Sequence, residues 1–238
     1  MKLTQKLTLT LVLVSAAVLS SCGSSTSPTA TEGKVKFSVR SVAPPSTVGL
    51  NKTQVVGQVT ITKAKIVINE IEFENELNDS LDFELEEPFV HDLAADTSLH
   101  TVAVLQVPFG MYKELSVKVK KLRNDDGAVF TQNPELQNLS VYVEGFLDND
   151  TSKKFIFTSD LTAKQKQKFN PPLVIDSTQT STNVVLSIDL SRWFVDRSGN
   201  PLDPKLPDNR SQIENNIKAS FKMFKDDDDD GREDGDDD

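Results

Sequence analysis

The chain has 238 residues, of which 37% are hydrophobic, so it can bury the core of one large all-β domain. Its formal net charge of −10 argues against binding to phosphate backbones, which depends on lysine and arginine, so we expect no nucleic-acid partner. A single cysteine excludes an intrachain disulfide and any cysteine-rich zinc site. Two histidines leave little capacity for acid–base chemistry.

The N-terminus has the pattern of a secretory signal over residues 1–21. Lys2 and Lys6 precede an apolar run from Leu7 to Leu19, shorter than the about 20 residues that span a bilayer as a helix. The run ends in Leu19-Ser-Ser-Cys22, which resembles the lipobox of bacterial lipoproteins. The resemblance implies that Cys22 is acylated and anchors the protein in the cell envelope, with the outer membrane or cell surface as the expected location. The alternative is an ordinary secretory signal with a chance cysteine near its cleavage site.

Three segments are expected after the signal. Residues 22–33 are small and polar after the cysteine and have no apolar period, which predicts a flexible tether with an r.m.s. reach of about 18 Å. Residues 34–225 form the predicted folded domain. Residues 226–238 form an acidic tail.

The dominant pattern in the folded domain is alternation of apolar and polar residues from Lys34 to Trp193, which predicts about nine β-strands. No helical spacing separates these runs, so we expect an all-β, antiparallel sandwich with at most one short C-terminal helix. A phase slip at Asn69-Glu70 predicts a bulge or a bend. Turn-forming residues at 124–127 and 148–150 predict hairpins.

Pro108, Gly110 and Tyr112 break one strand and begin the next. This P-x-G-x-Y pattern resembles the start of a strand in the prealbumin-like sandwiches of bacterial surface lipoproteins, many of them domains of unknown function. Residues 183–194, 199–204 and 213–226 are similar to the closing segments of such proteins. The resemblance implies an exported, lipid-anchored, prealbumin-like sandwich, and it carries no established activity and no site residues.

No sequence motif of a serine hydrolase, a P-loop, a dinucleotide-binding fold or a zinc protease occurs in the chain, and we predict that it is not an enzyme. His91 and Asp92 are adjacent on a predicted strand and therefore point to opposite faces, which disfavours a catalytic triad. His91 and His100, with Asp92 or Asp96, could bind a metal ion across a hairpin. Exposed polar histidines near a turn are the simpler interpretation.

Two further groups have a structural and a functional interpretation. Trp193 and Phe194 could form an aromatic platform for a sugar or a partner, but a lone tryptophan in a sandwich is more often a core residue. The alternating lysines of residues 164–168 are typical of a solvated face or a protected edge strand.

The acidic tail has a spacing that favours calcium. Ten of its 13 residues are acidic and one is basic, for a net charge of −9. Gly231 can supply a sharp turn, and hard cations prefer oxygen ligands. Candidate ligands stand at loop positions 1, 3, 5, 9 and 12: Asp226, Asp228, Asp230, Asp234 and Asp237. The alternative is a solvated, disordered tail, since a run this acidic places Asp at most positions.

Residues 212–225 fit either a helix or a strand. Ile213, Ile217 and Phe221 have helical spacing, and Ser211 with Glu214 predicts a capping box, so that the segment resembles the entering helix of an EF-hand. Ile217, Ala219, Phe221 and Met223 also fit a last strand that leads into an acidic calcium loop. Because no exiting helix and no second loop follow, an ordinary sensor EF-hand is excluded.

Two functions remain open, both of them non-catalytic. The first is a lipid-anchored structural or accessory binding module of the cell envelope, held to the membrane through Cys22 and contacting an envelope protein or a glycan. The alternative is a calcium-assisted adhesion or carbohydrate-binding lipoprotein, in which calcium is the cofactor.

Overall fold

The computed structural model describes residues 31–42, 54–56, 59–94, 97–178 and 182–233. Its strands are β1 Glu32–Val42, β2 Gln54–Val56, β3 Val59–Asn75, β4 Phe83–Leu85, β5 Phe89–Asp92, β6 His100–Pro108, β7 Gly110–Val119, β8 Val141–Leu147, β9 Lys154–Ser159, β10 Ala163–Ile175, β11 Thr182–Asp189 and β12 Phe221–Lys225. Its α-helices are α1 Gly127–Gln132 and α2 Arg210–Ala219.

The strands form two packed sheets, which confirms the predicted all-β sandwich. One sheet has four strands in the order β12-β11-β1-β6. The other has eight strands, with β10-β7-β3-β8-β9 as its main path and the short strands β2, β4 and β5 paired to β3. The described residues thus contain 12 strands rather than about nine. The strands β2 and β5 are too short to show alternation, and β10 alternates lysine with glutamine over residues 164–168 instead of apolar with polar residues.

One strand pair differs from the antiparallel expectation. β1 and β11 are parallel, with Val35 opposite Thr182 and Val42 opposite Asp189, so the four-stranded sheet is mixed. The remaining named pairs are antiparallel. Period-two alternation predicts which face of a strand is buried but not the direction of its partner.

The predicted bulge in β3 is confirmed. The pairing of β3 with β7 shifts register between Ile68 and Glu70. The Asn69 side chain accepts a hydrogen bond from the Lys120 backbone N–H at 2.7 Å, which pairs a donor beside the irregularity. The shift changes which residues of β3 face the core.

The two predicted turns have different outcomes. Asp148 and Asn149 have φ values of 54° and 55° in the β8–β9 connection, and the antiparallel pairing of these strands confirms the predicted hairpin. Residues 124–127 instead lead into α1. Because α2 is also present, the prediction of at most one short helix, at the C-terminus, is wrong. α1 and the segment after it cover a small apolar cluster of Val67, Leu122 and Leu136 outside the main core.

Residues 212–225 divide between the two predicted structures. α2 buries Ile213 and Ile217, and β12 then pairs with β11, with Phe221 opposite Ile188. The capping box is wrong, since α2 begins beside Asn209 with no side-chain cap. Glu214 instead pairs with Arg210 at 3.2 Å. Because a strand separates α2 from the tail, the similarity to an EF-hand entering helix is wrong as well.

Candidate functional site

The first eight residues after β12 fold back over the four-stranded sheet, and we call residues 226–233 the acidic strap. The strap contacts the face that points away from the core, because it reaches Lys36 and Arg40 of β1 and Asn183 of β11. Lys36 Nζ lies 2.6 Å from Asp229 Oδ2, and Arg40 donates to the carbonyl of Gly231. Within the described part of the chain, residues 226–233 are therefore held against the sheet through buried Asp226 and Gly231, while residues 227–230 and Arg232 remain exposed to solvent, as the solvated alternative expected.

Asp226 anchors the strap and is fully buried at 0% exposure. Its carboxylate accepts hydrogen bonds from the backbone N–H of Gly231 at 3.0 Å and of Asp230 at 3.1 Å. It also accepts one from the side-chain amide of Asn183 at 3.2 Å. Asn183 in turn accepts from the Ser38 hydroxyl at 2.9 Å, so a buried polar network connects the strap to β11 and β1.

The environment of Asp226 opposes its ionisation. Burial raises the pKa of the Asp226 carboxyl above its ordinary value, and the neighbouring Asp228 carboxylate acts in the same direction. The N–H groups of Gly231 and Asp230 act in the opposite direction, without reversing the effect. A cation close to this carboxylate would favour the ionised form.

Three of the predicted calcium ligands meet in the strap. Asp226, Asp228 and Asp230 each offer a carboxylate oxygen, and these oxygens lie within 4.8 Å of one another. The loop turns through Gly231, whose φ of +80° is in the left-handed region that favours glycine. Asp234 and Asp237, the other two candidate ligands, lie outside the described residues, as does the acylation candidate Cys22.

The two histidines meet, but not across a hairpin. The His91 ring in β5 and the His100 ring in β6 lie 5.7 Å apart, and these strands belong to different sheets. The Asp92 carboxylate accepts a hydrogen bond from the backbone N–H of Ala94 at 3.1 Å, and Asp96 lies outside the described residues. Neither histidine belongs to a group of three metal-ligating side chains in the part of the chain that the structure describes.

The aromatic platform proposed for Trp193 and Phe194 is wrong, since both side chains are fully buried. The Trp193 indole N–H donates to the Ser220 hydroxyl at 2.9 Å, which pairs its polar atom inside the core. The Phe194 ring packs edge-on against Phe155 and Phe157. The core interpretation of these residues is confirmed.

The lysines of residues 164–168 lie on β10, a terminal strand of the eight-stranded sheet, as expected for a protected edge. Lys164 pairs with Glu72 at 2.9 Å, and Lys166 pairs with Glu114. The pairs join β10 to the neighbouring strands, and in this geometry the lysines are charge partners of the sheet.

A second acidic cluster, which the sequence did not indicate, lies on the same sheet at Glu70, Glu84 and Glu86. Glu70 is only 3% exposed and contacts the ammonium groups of Lys118 and Lys120. Although burial opposes ionisation, these two lysines hold the pKa of Glu70 below its ordinary value. Lysines thus provide the positive charge in this cluster, and it is a weaker metal candidate than the strap.

No family model matches the chain, and no curated protein matches it. The chain is similar to one solved structure, MbnP from Methylosinus trichosporium, with 11% sequence identity and a TM-score of 0.44. That similarity covers 82% of this chain and 98% of the MbnP chain. No helix in the described ranges has the length and apolarity needed to cross a membrane.

Proposed function

We propose that this protein is an exported, lipid-anchored component of the cell envelope that acts as a non-catalytic structural or accessory binding module. The observation that carries the proposal is the order of residues 1–22: a basic start, an apolar run too short to span a bilayer, and Leu19-Ser-Ser-Cys22. A sandwich that begins ten positions after Cys22, at Glu32, is compatible with attachment by its N-terminus.

Labelling with a radiolabelled fatty acid in a bacterial host tests the anchor. The parent chain is expected to incorporate the label and to sediment with membranes, and Cys22→Ala is expected to do neither, because the acyl acceptor is the thiol. Ser24→Ala, two positions beyond the lipobox, is the matched control and should be labelled as the parent is. Label retained on Cys22→Ala would overturn the lipoprotein proposal.

A second candidate function is calcium-assisted adhesion or carbohydrate binding, and the close approach of Asp226, Asp228 and Asp230 favours it. A calcium ion between these carboxylates would offset their mutual repulsion and the cost of burying Asp226. Since three carboxylates from one short loop form an incomplete coordination sphere, the expected dissociation constant is on the order of 10⁻⁴ to 10⁻³ M.

Calorimetric titration of the full-length chain with calcium tests this candidate, with magnesium at matched ionic strength as the ionic control. Asp228→Asn should abolish saturable calcium binding. Asp227→Asn makes the same charge change at the adjacent position and should leave the binding unchanged. Equal effects of the two substitutions would mean that the tail only attracts counterions. A glycan-binding screen with and without calcium then separates the two functions.

A further inference from the structure

A groove lies between the acidic strap and the outer face of the four-stranded sheet, and we call it the strap groove. Its volume is about 470 Å³, within the range of about 300 to 1,000 Å³ that small-molecule sites occupy. Strands β1, β11 and β12, the end of α2 and the strap all contribute to its walls. The charged residues that line it are Arg40, Asp189, Arg192, Lys222, Arg232 and Glu233.

Positive charge exceeds negative charge in this lining. Arg192 Nε pairs with Asp189 Oδ2 at 2.9 Å, and Lys222 Nζ pairs with Glu233 Oε2 at 2.6 Å. Arg40 forms no ion pair among the described residues, and Arg232 makes only a long contact of 3.8 Å with Asp230, in a protein whose formal net charge is −10. The excess is therefore a local property of the groove.

Arg40 is the groove arginine that has no carboxylate partner. Its half-buried guanidinium donates to two neutral oxygens, the Ser187 hydroxyl and the Gly231 carbonyl. Within the described ranges, Arg40 forms no ion pair with a carboxylate. A partly buried positive charge without a counter-charge is costly, and a bound anion would reduce that cost.

The strap's own carboxylates are partly neutralised by other groups. Asp229 pairs with Lys36 at 2.6 Å, and Asp227 pairs with Lys225. Arg232 Nε lies 3.8 Å from Asp230 Oδ2, a long contact, and the Arg232 side chain is 71% exposed. Arg232 can therefore turn toward a ligand at the mouth of the groove at little cost.

We propose that the strap groove binds a small ligand that carries an oxyanion, either a carboxylate or a phosphate, between Arg40 and Arg232. The planar guanidinium forks of arginine match both groups and give charge-assisted hydrogen bonds. Val42 and Phe224, which lies on the same face of β12 as Lys222, add apolar wall, which suits the carbon face of a sugar ring, so an acidic or phosphorylated sugar is the ligand class. This inference rests on the proposed binding function, since it names the ligand class of that module.

Calorimetric titration of the full-length chain in detergent, at constant ionic strength, tests the proposal with three probes. Glucuronate and inorganic phosphate are expected to bind saturably and glucose is not, because only the first two carry an oxyanion. Saturable binding of phosphate alone, or of glucuronate alone, supports the proposal and identifies the source of the oxyanion. Absence of saturable binding by both overturns it.

Arginine substitutions locate the binding. Arg232→Gln is expected to weaken the bound probe about tenfold, the effect of losing one charged hydrogen bond. Arg197→Gln makes the same change at an exposed arginine outside the groove and should have no effect. Equal weakening by both substitutions would show that only the overall charge matters, which overturns the site. Because none of these measurements depends on acylation, their failure is distinguishable from failure of the Cys22 labelling experiment.

Discussion

Removal of the Asp226 carboxylate should detach the acidic strap and destabilise the sandwich. Asp226→Ala leaves two buried donors without an acceptor, the Gly231 N–H and the Asn183 side-chain amide, whereas the Asp230 N–H keeps its hydrogen bond to Asp228 Oδ1 at 3.2 Å. Each unpaired buried donor costs about 1 to 3 kcal/mol. Relief from burying the carboxylate offsets part of this, so we expect a loss of about 2 to 3 kcal/mol in the free energy of unfolding.

Thermal and denaturant unfolding of the full-length chain measure this loss. In a chain of this size, about 2 to 3 kcal/mol corresponds to a fall in Tm of roughly 5 to 10 °C. Asp227→Ala is the matched control, because that side chain is 50% exposed and its substitution should change stability by less than about 0.5 kcal/mol. Trypsin should also cleave after Arg232 faster in Asp226→Ala than in the control. The same Tm in the parent and both variants would refute docking through Asp226.

Three further predictions concern the sandwich itself. The ammonium groups of Lys65 and Lys63 lower the pKa of Glu135 to about 2, so its ion pairs contribute stability above the ordinary carboxyl pKa of 4.5, and this is lost as the pH falls toward 2. Glu135→Gln should therefore cost about 1 to 2 kcal/mol at pH 7, after allowance for solvent screening, and almost nothing near pH 2, as measured by urea unfolding. Phe221→Asp should lower the free energy of unfolding by more than about 3 kcal/mol, because the Phe221 side chain is only 7% exposed and packs in the core. An unchanged melting curve would contradict the packing of β12, and Leu206→Asp, at an exposed position, is the control. Tyr112→Phe should cost about 1 kcal/mol, because the Tyr112 hydroxyl donates to the Pro108 carbonyl at 2.8 Å, and equal denaturation midpoints would contradict that bond.

Local features of the chain could be predicted from the sequence where the physical cause is itself local. Alternation predicted the long strands because successive side chains of a strand face opposite sides. The slip at Asn69 predicted the bulge in β3, since one extra residue reverses that alternation. Trp193 could be assigned to the core because a large apolar ring in a sandwich is most stable when buried.

Tertiary structure decided which strands pair and which distant side chains meet. The parallel pairing of β1 with β11 joins segments about 150 positions apart, such as Val35 and Thr182, and alternation carries no information about direction. The acidic strap is a similar case. Its acidic composition favours exposure to solvent. Asp226 is nevertheless buried, because the Asn183 side chain and the strap's own backbone N–H groups supply the hydrogen-bond donors that its carboxylate needs.

The strap groove likewise exists only in the folded chain. Arg40 and Arg232 are separated by almost the whole domain in sequence, and no sequence pattern connects them. They come together because β1 is an inner strand of its sheet, two strands from β12, and the strap passes over β11 to reach it. The sequence determined the buried face of the strands that alternate, because successive side chains of a strand face opposite sides, whereas β11 is buried along almost its whole length and does not show that period. The fold determined which distant charges meet, because that depends on how strands are ordered and on where the chain returns after the last one.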